Sequence, residues 1–125
     1  MKRVFKTRHF ARWMRKTELT DARLCQVIEE MAAGLIDADL GGGVVKKRVA
    51  LAGRGKRGGA RTLLATNKND RWFFVFGYEK NERANINAEE LEALCDLAAD
   101  LLGQTAHQLK ESVAEGTLQE ICHDD

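Results

Sequence analysis

The run WFFVFGY at residues 72–78 is apolar at both alternating positions of an extended chain. Successive side chains of a strand point to opposite faces, so this run predicts a central strand that is buried on both sides. Two other strand-like runs precede it, VVKKRVAL at 44–51 and ARTLLAT at 60–66, with turn residues at 68–70. Because only short connections separate the three runs, they predict an antiparallel meander.

Helical periodicity flanks the meander on both sides. One helix begins at Thr20 or Asp21 and ends near Gly34, and another begins at the N-cap Asn87 with Glu90 as its capping-box partner. A shorter helix precedes these two helices. In chain order, the apolar stripes of the three helices at helical spacing consist of Phe10, Trp13 and Met14 in the first, Leu24, Val27, Ile28 and Met31 in the second, and Leu91, Leu94, Ala98 and Leu101 in the third.

This order of elements predicts an α+β fold. A small antiparallel sheet of three to four strands, including a short first strand at MKRVF, would carry two N-terminal helices and one C-terminal helix. The main domain is expected to span residues 1–102. Residues 103–125, with a weaker helical pattern, are expected to form a helical extension or tail.

Composition narrows the class of protein. With 125 residues, of which 44% are apolar and 31% charged, the chain is typical of one soluble globular domain. No apolar run approaches the roughly 20 residues that span a bilayer. The N-terminal segment lacks the apolar core of a secretory signal. We therefore expect a cytoplasmic protein with no membrane partner.

Cysteine and histidine residues are few and widely spaced. Three cysteines do not predict a disulfide framework, so we expect Cys25 to be a packed thiol and Cys122 and His123 to lie in an unordered tail. No zinc-binding spacing connects the cysteines with His9 or His107. The sequence therefore predicts neither a metal site nor a cofactor.

The net charge of +1 hides a strong asymmetry. Residues 1–80 hold 18 Lys and Arg against 8 Asp and Glu, a net charge of +10, whereas residues 81–125 hold 2 against 11, a net of −9. Such polarity is typical of a nucleic-acid-binding body with an acidic end, although solvated acidic helix faces would produce it as well.

The connection GRGKRGGAR at 53–61 concentrates that positive charge. Its glycines match G-x-G-x-x-G, but a strand follows where a dinucleotide site needs a helix, and no Gly-Lys-Ser/Thr follows for a phosphate-binding loop. Glycine lets a backbone approach an anion closely. Four cationic side chains of this connection can each bind a phosphate group, namely those of Arg54, Lys56, Arg57 and Arg61. A soluble hairpin loop without a ligand is the alternative.

Further polar residues are expected on the same side of the sheet. Lys46 and Arg48 share one face of their strand. Lys80 follows the aromatic strand, in register with Phe74, Phe76 and Tyr78. The Tyr78 ring would either pack in the core or stack on an RNA base.

These segments resemble the RelE/HigB superfamily of bacterial toxins from type II toxin–antitoxin modules, and the HigB-like branch most closely. The residues that carry the resemblance are KKRVAL at 46–51, GRGKRGGAR at 53–61, WFFVFGY at 72–78 and EKNERANI at 79–86. It extends over roughly residues 1–102.

The resemblance implies a ribosome-dependent endoribonuclease that cleaves messenger RNA. It also implies a helix-turn-helix antitoxin partner, with the toxin either a monomer alone or part of a heteromeric complex. Arg48, Lys56, Arg61 and Lys80 match basic positions of the family's cleft. A C-terminal tyrosine of the best-known members is missing here, where Asn85 and Ile86 stand, so the general base is unassigned.

We therefore expect metal-independent attack by the substrate's 2′-OH. The residues expected to act in catalysis are Lys56, Arg61 and Lys80. The residues expected to bind RNA and its phosphate groups are Lys46, Arg48, Arg54, Arg57 and Tyr78. The alternatives are a gyrase-poisoning toxin of the same superfamily and a non-catalytic module that binds RNA or the ribosome.

Overall fold

A computed structural model describes residues 2–51 and 59–123. These residues form four helices and six strands, and the strands belong to one sheet. The strands are β1 (Arg3–Thr7), β2 (Ala38–Gly41), β3 (Val44–Val49), β4 (Ala60–Thr66), β5 (Arg71–Glu79) and β6 (Leu118–Ile121). The helices are α1 (Arg8–Met14), α2 (Asp21–Ala32), α3 (Ala88–Leu102) and α4 (Ala106–Glu115).

The sheet order is β2-β3-β4-β5-β1-β6, which places β5 inside the sheet as its sequence predicted. Strands β3, β4 and β5 form the predicted antiparallel meander. The expectation of a purely antiparallel sheet of three to four strands is wrong, because β1 pairs with β5 in parallel and two edge strands are added. Both edge strands are four residues long, too short to show an alternating pattern.

Helices cover both faces of the sheet and create two apolar cores. Side chains of α1 and α2 pack in one core, and side chains of α3 and α4 pack in the other. The predicted α+β class is therefore confirmed, as are the N-cap at Thr20 and the capping box of Asn87 and Glu90. None of the described helices is long and apolar enough to cross a membrane. The domain boundary after residue 102 stays a prediction; β6, beyond it, forms one edge of this sheet.

A β-bulge in β5 changes which side chains face each core. The adjacent β4 residues Leu63 and Leu64 pair with Phe76 and Phe74 of β5. Val75, which lies between these two partners, is therefore the additional residue of the bulge. Phe74 consequently packs with α1, and Phe76 and Tyr78 face the α3 side. The prediction that all three aromatic residues share one face is wrong for Phe74, because alternation alone does not show a bulge.

Lys47 is a charged residue among the apolar positions of β3 that face α2. The residue is 8% exposed, and its ammonium group lies 3.2 Å from the carboxylate of Glu30 in α2. Hydrogen bonds from Arg23 and then Lys47 lower the pKa of Glu30. Lys47 therefore connects the sheet to α2, on the opposite face from Lys46 and Arg48.

A disulfide bond joins Cys25 of α2 to Cys122, immediately after β6. The predictions of a packed thiol at Cys25 and of an unordered tail at Cys122 are therefore wrong. The two cysteines are 97 residues apart, and only the pairing of β6 with β1 brings them together. The remaining cysteine, Cys95, is a free thiol.

We expect reduction of this disulfide to lower the free energy of unfolding by about 3–5 kcal/mol, because it closes a long loop. The measurement is urea unfolding of Cys95→Ser with and without dithiothreitol. The double variant Cys25→Ala/Cys122→Ala should match the reduced protein and be insensitive to the reductant. Equal midpoints for oxidised and reduced Cys95→Ser protein would contradict the disulfide.

Candidate RNA-binding and catalytic site

Three predicted site residues lie side by side across the meander. Arg48 of β3 pairs with Arg61 of β4, which in turn pairs with Tyr78 of β5. The neighbouring residues Val49 and Ala60 belong to the α1–α2 core. By alternation, the row of Arg48, Arg61 and Tyr78 therefore lies on the α3 face of the sheet.

A second row lies next to the first on the same face. Lys46 pairs with Leu63, and Leu63 pairs with Phe76. Lys46 is half-buried in β3, whereas Leu63 has no exposed surface. The structure thus brings together two predicted strand cations, Lys46 and Arg48, with Arg61 and a pair of aromatic rings.

The carboxylate partners of these cations differ. The Arg48 backbone N–H donates to Asp37 at 2.7 Å, and its guanidinium donates to the same carboxylate at 3.4 Å. Within the described residues, neither Lys46 nor Arg61 forms an ion pair with a carboxylate. Arg61 therefore carries a positive charge that is available to an anion at the centre of the row.

Lys80 lies just beyond β5, at the base of the glycine-rich connection. Its backbone N–H donates to the carbonyl of Gly59 at 3.2 Å, and its side chain is exposed. This contact places Lys80 one residue pair beyond Ala60 and Glu79, and therefore two residues beyond Tyr78, the partner of Arg61. The remaining predicted residues, Arg54, Lys56 and Arg57, lie outside the described residues.

The Tyr78 ring packs in the core rather than offering an exposed stacking surface. The residue is 2% exposed, and its buried hydroxyl has no hydrogen-bond partner among the residues that the structure describes. Burial raises the pKa of Tyr78, although the positive charges of Arg61 and Arg83 act in the opposite direction. The hydroxyl therefore remains a neutral donor without an acceptor, adjacent to two arginines.

Arg83 is a site residue that the sequence reasoning missed. Its guanidinium carbon lies 5.6 Å from the centroid of the Tyr78 ring and 6.0 Å from that of Phe76. Two hydrogen bonds hold it to Glu90, one of them 2.9 Å long. The Arg83 hydrogen bond lowers the pKa of Glu90. Because Glu90 also caps α3, the helix start positions Arg83 over the rings.

His9 is the second residue that the sequence reasoning missed. Its ring stacks on Phe76, with centroids 5.6 Å apart and planes 5° from parallel. The two residues are 67 positions apart in sequence, and no local motif connects them.

In the part of the chain that the structure describes, no group of three or more His, Cys, Asp or Glu residues could hold a metal ion.

The unpartnered Tyr78 hydroxyl leads to a stability prediction. We expect Tyr78→Phe to raise the free energy of unfolding by about 1 kcal/mol, because a buried hydroxyl without a partner is costly. Chemical denaturation of the purified variant measures this change.

Thr62→Val is the matched control, since the buried Thr62 hydroxyl donates to the Lys47 carbonyl at 3.0 Å. The free energy of unfolding of this variant should be lower than that of the wild type by about 1 kcal/mol, because the substitution removes a satisfied hydrogen bond. A loss of stability in Tyr78→Phe equal to that of the control would show that the Tyr78 hydroxyl has a partner in solution.

Comparison with known proteins agrees with the resemblance in the sequence. A search of curated protein sequences returns no match to this chain. The family model described as the RelE toxin of the RelE/RelB toxin–antitoxin system matches residues 2–121, which is nearly the whole chain. The HigB-like branch stays a prediction. Because this match covers more than half of its length, the chain belongs to the RelE toxin family.

Proposed function

We propose that this toxin is a ribosome-dependent endoribonuclease that stops translation by cleaving messenger RNA. The observation that carries the proposal is Arg61, a half-buried cation that has no carboxylate partner among the described residues and is flanked in register by Arg48 and Tyr78. Lys46 and Lys80 add positive charge on either side. A phosphate group placed over Arg61 would supply a counter-charge that no residue in the described part of the chain supplies there.

In the proposed reaction, the 2′-oxygen of the substrate attacks the adjacent phosphorus while the bond from phosphorus to the 5′-oxygen breaks. The products are a 2′,3′-cyclic phosphate and a free 5′-OH. Negative charge increases on the phosphoryl oxygens in the transition state, and Arg61 would stabilise it. Since the nucleophile belongs to the RNA, no metal ion is needed to generate it.

We assign the remaining cations by their position. Lys80, exposed at the end of β5, or Lys56 in the glycine-rich connection would assist proton transfer to the leaving oxygen. Arg48, Arg54 and Arg57 would bind flanking phosphates or ribosomal RNA. The general base stays unassigned.

The proposed partners follow from the family. An antitoxin partner is implied by membership of a toxin–antitoxin system, and we propose that it carries a helix-turn-helix domain and blocks the cationic face. We further propose that the toxin acts in the cytoplasm, where it meets translating ribosomes, as a monomer or after release from the antitoxin complex.

Arg61→Ala should lower the rate of cleavage by about 10²–10³-fold, because one preorganised donor to the transition state is removed. The measurement is a reconstituted translation reaction with primer extension on the message. Lys110→Ala, an exposed cation on α4, is the matched control and should cut at the wild-type rate.

The chemistry is tested by the product ends. A 2′-deoxyribose at the scissile nucleotide should abolish cleavage, and the downstream product should begin with a 5′-OH. A 5′-phosphate would contradict attack by the 2′-oxygen. Blocked translation of an intact message would indicate binding without cleavage, and an intact message that is normally translated would lead to a gyrase assay.

A further inference from the structure

A concave surface lies between α1 and the end of β5, beside the cationic row of Arg48, Arg61 and Tyr78. Its volume is about 280 Å³, and the lining residues used below are His9, Arg12, Trp13, Lys16, Phe76 and Arg83. Four of these six side chains carry basic groups, and the other two are aromatic. Glu82 is the one carboxylate among the residues that line this surface.

The surface exists because β5 is longer than its neighbour β1. The pairing of these strands ends with Lys6 and Phe74, so the last residues of β5 have α1 beside them instead of a strand. Gly77 allows this close approach, since a Cβ atom there would overlap the indole ring of Trp13. A short helix and an open strand edge thus form the walls of the concavity.

The aromatic part of the surface suits a nucleobase. One face of the His9 ring stacks on Phe76, and the residue is exposed, so the opposite face is the one that a base could contact. Arg83 lies over the same Phe76 ring from another direction. Unpaired RNA bases stack on aromatic and guanidinium planes of this kind, whereas the paired bases of a duplex do not expose their faces.

The cationic part suits a phosphate group. Arg12 and Lys16 are four residues apart, which places both on the same side of α1 or its immediate continuation. Both are exposed, and neither has an ion-pair partner in the ranges that the structure describes. Other cations of the fold are paired, for example Lys2 with Glu29. Arg12 and Lys16 therefore remain available to an external anion.

We propose that this concavity is a nucleotide subsite for single-stranded RNA. A base stacks on the outer face of His9, and the adjoining phosphate lies between Arg12 and Lys16. Tyr78 and Arg83 also line the concavity, and Tyr78 pairs with Arg61, so the subsite continues the cationic row across β5. This inference rests on RNA being the substrate, as proposed above, and extends its path beyond the scissile phosphate.

Binding can be measured separately from cleavage. The probe is a fluorescent ten-nucleotide RNA with 2′-O-methyl groups, which cannot be cut by 2′-oxygen attack, and the readout is fluorescence anisotropy. His9→Ala should weaken binding by about tenfold, the scale of one lost stacking contact. His9→Phe should bind like the wild type, since it retains a stacking ring without the imidazole nitrogens.

The double variant Arg12→Ala/Lys16→Ala should also bind more weakly. Its salt slope should be smaller by about 0.7, the contribution of one phosphate contact to the binding of a single strand. Arg15→Ala is the matched control, because Arg15 is an exposed cation beside Met14 that does not line the concavity. It should leave both the affinity and the salt slope unchanged.

Four results would overturn the proposal. The first two are binding of His9→Ala with wild-type affinity and binding of His9→Phe that is as weak as that of His9→Ala. The third is a loss of affinity in Arg15→Ala as large as that in Arg12→Ala/Lys16→Ala. The fourth is binding of a duplex of the same sequence as tightly as the single strand. Thermal melting of each variant confirms that it is folded, which we expect because all the substituted side chains are at least partly exposed. If binding behaves as expected but the wild type cuts no message on ribosomes, the subsite stands and the nuclease proposal fails.

Discussion

Burial of β5 on both faces is the constraint on which the rest of the structure depends. Phe73 packs toward α3 and α4, Phe74 packs toward α1 and α2, and neither has exposed surface. Each such side chain contributes about 1.5–3 kcal/mol when it is fully buried, so a helical layer on each face is strongly favoured. The bulge at Val75 then places Phe76 and Tyr78 on the face where Arg48 and Arg61 lie.

Pairing of charges separates structural cations from those available to a ligand. The buried ammonium groups of Lys6 and Lys47 lie against Asp21 and Glu30, and so connect β1 and β3 to α2. Arg61, by contrast, lies in the sheet and has no carboxylate partner in the ranges 2–51 and 59–123. Arg61 pairs in register with Arg48, and two neighbouring cations repel each other unless an anion lies between them. This contrast, rather than the overall charge, is the basis of the proposed RNA site.

Local signals made much of the fold predictable. The stripe of α2 and the capping box at Asn87 depend on neighbours three or four residues away, and the meander depends on strands that follow one another in the chain. The parallel pairing of β1, the strand β6 and the Cys25–Cys122 disulfide depend on contacts far apart in sequence. Periodicity has no access to those contacts. For the same reason, Arg48 and Arg61 were identified from the sequence, whereas His9 and Arg83 were not.

The sequence by itself determined the α+β class, the central aromatic strand and the cationic chemistry, because residue type and short-range spacing are sufficient for each. Tertiary structure alone decided which cations are neutralised, which face each aromatic ring occupies, and which distant residues meet. Phe76 shows the difference most clearly. Its place in a strand follows from its neighbours, but its contact with His9 depends on a bulge and on the end of β1. These features arise from packing between segments that are distant in sequence, and no local pattern encodes them.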